Sequence, residues 1–350
     1  MEDPTIYLKS LEGVDTVDEK KEEGIINEVK KDIQEARLKS ATIPSYFIMT
    51  INMHGKAKRD DRVLLLMNIM STYFSSIIFC QEIPGHFVKD IVDKCGTLGY
   101  DHVKTSNYEA AVLWRTEDFV GSTVGLKLTD RSIIKIRERV KLEHKSECLP
   151  QRFAMVQLTR CNSSESVLAV SWHGPLKGFR KVERPIAFNG LTTFLKEVCK
   201  ENKIPSFVIG GDFNLNTLDD SPDGLKLGED VAVSSYELSP RQKQRSTASN
   251  YIPHKDNFVF LKGNTLKVSW TRPFEIEDPR KATASDLTEG GHTNVQSEMA
   301  SGRVEDALDH DPIIGVLELL SAKTEQPGDH EEIMSSSLSG NATSQTFCSL

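Results

Sequence analysis

Short apolar strands that alternate with helical segments, and elsewhere follow one another as hairpins, predict an α/β sandwich. Two further observations support that class. The chain has 350 residues, of which 38% are hydrophobic and 27% charged, the balance of a globular protein with a sizeable core. Its longest apolar stretches, such as Val63 to Met67, are far too short to span a bilayer, and no fixed-period repeat points to a solenoid.

In chain order, residues 1–43 form a charged extension. Within it Ile25, Ile26, Val29, Ile33 and Ala36 recur at spacings of three and four, which predicts an amphipathic helix. Residues 44–320 form one domain. Tyr46 to Asn52 reads as a buried strand, Arg59 to Phe74 as a helix, Ser75 to Glu82 as a second strand and Phe87 to Cys95 as another helix. Glu109 to Trp114, Ser132 to Val140, Phe153 to Leu158 and Val167 to Trp172 are rich in β-branched residues and read as strands. Phe188, Leu191, Leu195 and Val198 give Phe188 to Lys200 a helical period. Ser206 to Gly211, Asn257 to Leu261, Thr265 to Trp270 and Ile313 to Leu319 complete the strands. The polar stretch 278–305, with Gly290-Gly291, predicts a long loop before the last strand. The Ser- and Thr-rich stretch 321–350 predicts a disordered tail.

Composition narrows the function. The opening MEDPTIYLKSLEG lacks the basic and apolar regions of a secretory signal, so a cytoplasmic or nuclear location is expected. Six cysteines without a C-x-x-C pair argue against zinc ribbons and thioredoxin-type chemistry, and reduced thiols are the default there. No phosphate-cradling G-x-x-x-x-G-K-[ST], no H-E-x-x-H and no G-x-S-x-G is present.

Polar residues instead gather at strand ends. Gly210-Gly211-Asp212-Phe213-Asn214 follows an apolar strand. Asp and Asn two apart there can point to one side, into the rim where α/β proteins place their sites, while the glycines would let the backbone turn sharply and approach a ligand. Other strands end likewise: in Asn52, in Gln81-Glu82, in His173-Gly174-Pro175, and Leu308-Asp309-His310-Asp311-Pro312 precedes the last one. Singly, each is an ordinary turn or cap residue. Their joint occurrence in order points to a site.

With TINMHG, FCQE, VSWHGP, GGDFN, HKDNFVF and LDHDPI in sequence, the chain resembles the endonuclease/exonuclease/phosphatase superfamily of deoxyribonuclease I-like phosphoesterases over about Ser45 to Leu320. Two departures are Leu308, where the family usually has Ser, and Ile51, where it usually has Trp. The resemblance implies a four-layer α/β sandwich, two packed mixed β-sheets flanked by helices. It also implies phosphodiester hydrolysis by an activated water, with Mg²⁺, or Mn²⁺ in its place, held by Glu82, Asn52 and Asp309. His310 would be the general base and Asp256 its orienting partner. Asp212 and Asn214 would orient water and phosphate, and His173 would donate to a phosphate oxygen or the leaving group. Near Asn107-Tyr108-Glu109 further contacts to phosphate or to His173 are expected, without a fixed register. A hard cation that keeps several waters and needs only one or two carboxylates suits this set.

Basic clusters bear on the substrate. Seven Lys and Arg lie between Lys127 and Lys145, Lys177, Arg180, Lys181 and Arg184 follow His173, and Arg241, Lys243 and Arg245 form a third group in a loop-like stretch. Lys177 and Arg180, beside a catalytic histidine, are the best candidates for a phosphate backbone, and Arg152 is a further phosphate-contact candidate. Trp270 and Phe274 read as packing residues rather than base-stacking ones. A net charge of −8 would oppose such a partner if it lay on the domain, but it lies on the flanks. Residues 1–43 carry 7 basic and 11 acidic side chains and residues 321–350 carry 1 and 4, which leaves the domain at −1. The expected function is a nuclease acting on DNA or RNA. The alternatives are a phosphoinositide or sphingolipid phosphoesterase of the same superfamily, and a non-catalytic binding protein that keeps the fold.

Overall fold

A computed structural model of the chain describes residues 44–53, 66, 75–83, 96–106, 109–140, 152–175, 183–218, 227–246, 252–263, 265–274 and 311–320. The extension 1–43, the helices expected at 59–74 and 87–95, the loop 278–305 and the tail 321–350 lie outside these residues or almost entirely so.

Two six-stranded sheets make up the described domain. The first contains β1 (Ser45–Asn52), β2 (Ile77–Gln81), β3 (Tyr100–Lys104), β4 (Ala110–Arg115), β11 (Leu266–Pro273) and β12 (Ile313–Leu319), in the order β11-β12-β1-β2-β4-β3. The second contains β5 (Phe119–Ser122), β6 (Phe153–Arg160), β7 (Ser166–His173), β8 (Phe207–Asp212), β9 (Val231–Val233) and β10 (Asp256–Leu261), in the order β5-β6-β7-β8-β10-β9. Each sheet has one parallel pair at its centre, β1 with β2 and β7 with β8, and antiparallel pairs elsewhere. A parallel pair needs a long crossover connection, and helix α2 (Glu183–Glu201) supplies the one between β7 and β8. The chain is thus an α/β sandwich of two packed mixed sheets.

Strand periodicity sets what the sheets enclose. Tyr46 and Ile48, Ile77 and Phe79, Val167 and Ala169, Val208, Phe258 and Ile313 alternate inward and form the core between the sheets, where the Phe79 and Phe258 rings meet edge to face at 6.1 Å between centroids. The opposite face of the second sheet, with Leu168, Val170, Trp172, Phe207 and Ile209, packs against α2 and α1 (Arg131–Val140).

Helix α1 corrects the strand expected over Ser132 to Val140. Its β-branched content misled, because Ile133, Ile136 and Val140 recur at three and four, and this face packs beside α2. Strands β3 and β5 are edge strands with exposed positions and lack the apolar runs that marked the others, and β9, also at an edge, is only three residues long. The stretch around Arg241, expected as a loop, holds a short helix, α3 (Pro240–Arg245). Ser239 caps it in a reciprocal capping box with Gln242, and Pro240 opens it.

Candidate active site

The alternation that fills the core continues to the carboxyl ends of the two parallel pairs, where polar residues replace apolar ones. Thr50 and Asn52 follow Ile48 on the inner face of β1, Gln81 follows Phe79 on β2, Ser171 and His173 follow Ala169 on β7, and Asp212 follows Val208 on β8. Just below the edge these side chains tie the sheets together. The fully buried Gln81 donates from Nε2 to Ser171 Oγ (3.0 Å) and Gly210 O (3.3 Å), accepts from the Thr50 hydroxyl (3.3 Å), and Ser171 donates to Cys80 O (2.8 Å).

Above this bridge lies the cluster itself. Asn52 Nδ2 donates to Asp212 Oδ2 at 3.0 Å and reaches Glu82 Oε1 at 3.5 Å. Glu82 follows β2 in the left-handed region, at φ 50°, a strained conformation for a non-glycine residue. Its Oε1 stands 3.2 Å from His173 Nε2, while His173 Nδ1 meets Glu109 Oε2 at 2.6 Å. The imidazole therefore has a carboxylate at each nitrogen. Asp212 is held on both oxygens, since Oδ1 accepts the Asn214 backbone N–H at 2.9 Å. Asn214 is itself left-handed, at φ 53°, and its Nδ2 donates to Gly174 O at 2.8 Å. Asp256 opens β10 directly opposite Asp212 in the ladder. Asn52, Asp212, Asn214, His173 and Asp256 are all buried, so these polar groups owe their stability to partners rather than water.

The glycines of GGDFN do something other than turn. Both lie within β8; a Cβ on Gly210 would collide with the Phe79 ring of the facing sheet, and one on Gly211 with the Trp172 carbonyl of β7. Their missing side chains allow the close approach of strands and sheets beneath the site, and Asn214 makes the turn. Two arginines brace the loops from behind. Arg152 Nη1 donates to His173 O (3.2 Å) and Gly174 O (3.1 Å), and Arg184, on the first turn of α2, donates from Nη1 to Asn214 O at 2.7 Å.

Of the expected site residues, Asn52, Glu82, His173, Asp212, Asn214, Asp256 and Arg152 lie at this one edge. Asp309, His310, Lys177 and Arg180 lie outside the described residues. The structure adds Glu109, just ahead of β4 at the same edge, as the Nδ1 partner of His173, and Arg184 as an anchor of the Asn214 turn. Carboxylate and carboxamide oxygens from Glu82, Asp212 and Asn52 fit a hard, oxygen-seeking cation. Among the described residues no group of three or more His, Cys, Asp or Glu side chains is placed to hold a metal ion.

No protein-family model matches the sequence, and no curated protein matches it either. Solved structures do match. Humanized D. rerio TDP2, carrying 14 mutations, aligns with a TM-score of 0.50 and 13% identity over 78% of this chain and 98% of its own. An endonuclease/exonuclease/phosphatase family protein from Bacteroides thetaiotaomicron gives 0.50 and 13% over 79% and 99%. The mannosyl-6-phosphatase Bt3783 of the same bacterium gives 0.50 and 13% over 78% and 99%. The chain has the fold of the endonuclease/exonuclease/phosphatase superfamily.

Proposed function

We propose that the chain is a metal-dependent phosphoesterase that cleaves phosphodiester bonds in nucleic acid. One observation carries the reading: Asn52, Glu82, His173 and Asp212, from four strand ends spread over 160 residues of sequence, share a single hydrogen-bonded cluster at the mouth of the sandwich. A structural turn residue has no need of such company.

The divalent ion, Mg²⁺ or Mn²⁺, would be held by Glu82 and Asn52 together with Asp309, and would supply charge neutralisation at the nonbridging phosphate oxygens. In this reading His310 takes a proton from water as its oxygen attacks phosphorus, and Asp256 fixes the imidazole. The P–O bond to the leaving group breaks, and the departing oxygen collects a proton. Asp212, clamped by Asn52 and the Asn214 N–H, presents a fixed negative oxygen to orient the water. His173, oriented by Glu109, would offer Nε2 to a phosphate oxygen in exchange for Glu82 Oε1, which stands 3.2 Å from it in the structure. The basic residues that follow His173 in sequence support a polyanionic substrate over a small monoester.

The test is a panel of labelled DNA, RNA, phosphoinositide and sphingomyelin with Mg²⁺, with Mn²⁺ and with EDTA. Cleavage of a nucleic acid should require the metal and fall about 10²-fold or more in Glu82→Gln, with circular dichroism unchanged. Cleavage indifferent to EDTA or to Glu82→Gln would sink the assignment. Cleavage of only the lipid substrates would move it to a phospholipid head group, and binding without any hydrolysis would favour a binding protein on this fold.

A further inference from the structure

We propose that α1 and the turn before it form a docking surface for an anionic lipid membrane, set apart from the catalytic edge. The proposal does not depend on the reaction assigned above.

Exposure is the first observation. Among the described residues the exposed large hydrophobics are Val120, Val124, Ile134 and Ile186, and the first three lie close together in sequence between β5 and the middle of α1. Val124 is the most exposed of them, at 85%, yet its loop is well formed. The Leu126 N–H donates to Thr123 O at 3.1 Å, the Val124 N–H to Ser122 Oγ at 3.3 Å and the Lys127 N–H to Asp130 Oδ2 at 2.8 Å. Gly125 takes the positive φ of 72° that glycine adopts without strain, and the buried Leu126 anchors the turn in the outer core. Val124 is therefore held out in water by a fixed turn. Phe119 points between the sheets, so alternation sets Val120 on the outer, helix-bearing face of β5.

Charge is the second observation. Ile133, Ile136 and Val140 face inward, so helix geometry places Arg131, Ile134, Lys135 and Glu138 on the outer face of α1. Lys127, Arg131 and Lys135 are exposed, and none of them is in an ion pair among the described residues. Arg139, by contrast, meets Glu197 at 2.8 Å. Glu138 is the single acid of α1, and the Asp130 carboxylate is turned back onto the Lys127 N–H.

Cations interleaved with aliphatic side chains match a bilayer interface, where the alkyl groups enter the acyl boundary and the cations meet lipid phosphates. A nucleic acid would pair with the cations but leave the aliphatic groups in water. Position separates this surface from the site. Helix α2 runs from Arg184, which holds Asn214 at the edge, toward Asn202, whose Oδ1 would lie 3.1 Å from a Cβ on Gly125. Its 19 residues put the turn about 28 Å from the edge, so lipid bound here is an anchor and not the substrate.

The experiment is co-sedimentation of the full chain with vesicles of phosphatidylcholine alone and of phosphatidylcholine mixed with phosphatidylserine. Binding should require phosphatidylserine. Each cation near an anionic surface is worth about 5-fold in affinity, so Lys127→Gln/Arg131→Gln/Lys135→Gln should weaken binding about 100-fold. Val120→Ser/Val124→Ser, at unchanged charge, should weaken it about 10-fold. Circular dichroism checks the fold, and if Val120→Ser disturbs β5, Val124→Ser alone should still lose about 3-fold. No binding to the phosphatidylserine vesicles, or binding that neither variant weakens, overturns the proposal. So does a loss confined to the cation variant, because a surface whose valines are silent reads charge alone; an equal loss of affinity for a labelled oligonucleotide would then make it a nucleic-acid contact.

Discussion

Gln81 offers the sharpest test of how the two sheets hold the site. Its amide is fully buried on the inner face of β2 and makes three hydrogen bonds, to Ser171, to Gly210 and from Thr50. Gln81→Leu keeps the volume and removes all three. Ser171 still donates to Cys80 O, so the group left most exposed to loss is the buried Thr50 hydroxyl, at about 1–3 kcal/mol. The broken bonds add about 1 kcal/mol each, and burying an alkyl group in place of an amide returns part of this. A net loss of about 2–3 kcal/mol is expected in urea denaturation at an unchanged m-value. Gln81→Glu should cost more at neutral pH, because it turns an oxygen toward the Gly210 carbonyl and buries a charge. That cost should shrink on acidification, since burial raises the carboxyl pKa and protonation restores a donor. The hydrolytic activity proposed above should fall in both, because the bridge sets the spacing between Glu82 on one sheet and His173 on the other. If Gln81→Leu is as stable as the wild type, or Gln81→Glu no worse than Gln81→Leu, the amide is not the tie between the sheets.

Arg184 should behave as a positioning residue for Asn214. Arg184→Ala should lower kcat by about 10- to 100-fold with little change in KM, as a displaced reacting group does, and added guanidinium ion should restore part of it; loss without rescue would indicate a general packing defect. His254 gives a pH prediction. Burial depresses its pKa, and its Nδ1 finds no hydrogen-bond partner among the described residues. The unfolded chain therefore binds this proton more readily than the folded one. Its contribution to stability is full above the ordinary histidine pKa of about 6.5 and is lost as pH falls below it, levelling off under the folded value. His254→Asn, which tolerates the left-handed φ of 52°, should flatten the pH dependence of the urea midpoint between about pH 7 and 5; identical slopes would refute this.

What the sequence disclosed, and what it did not, follows from the range over which each signal acts. Central strands such as β1, β7 and β8 are legible because both faces are buried and their apolar runs are unbroken. The polar residues at their ends are legible for the complementary reason: a side chain such as Asp212 or His173, placed where the inward alternation would put another Val, must have a partner. Helix α1 reads as a strand from composition because β-branched content is a weaker guide than period when one face is wet. Glu109 sat in the right neighbourhood but had no register, since its partner His173 is 64 residues away and only the β2–β4 pairing brings it to the edge. The same holds for Arg184, which reads as one more basic residue after His173 until α2 delivers it to the Asn214 carbonyl. Charge counted along the chain cannot separate a cation that grips substrate from one that grips backbone. Folding shows the second kind of contact directly, with Arg152 and Arg184 each donating to carbonyls of the site loops.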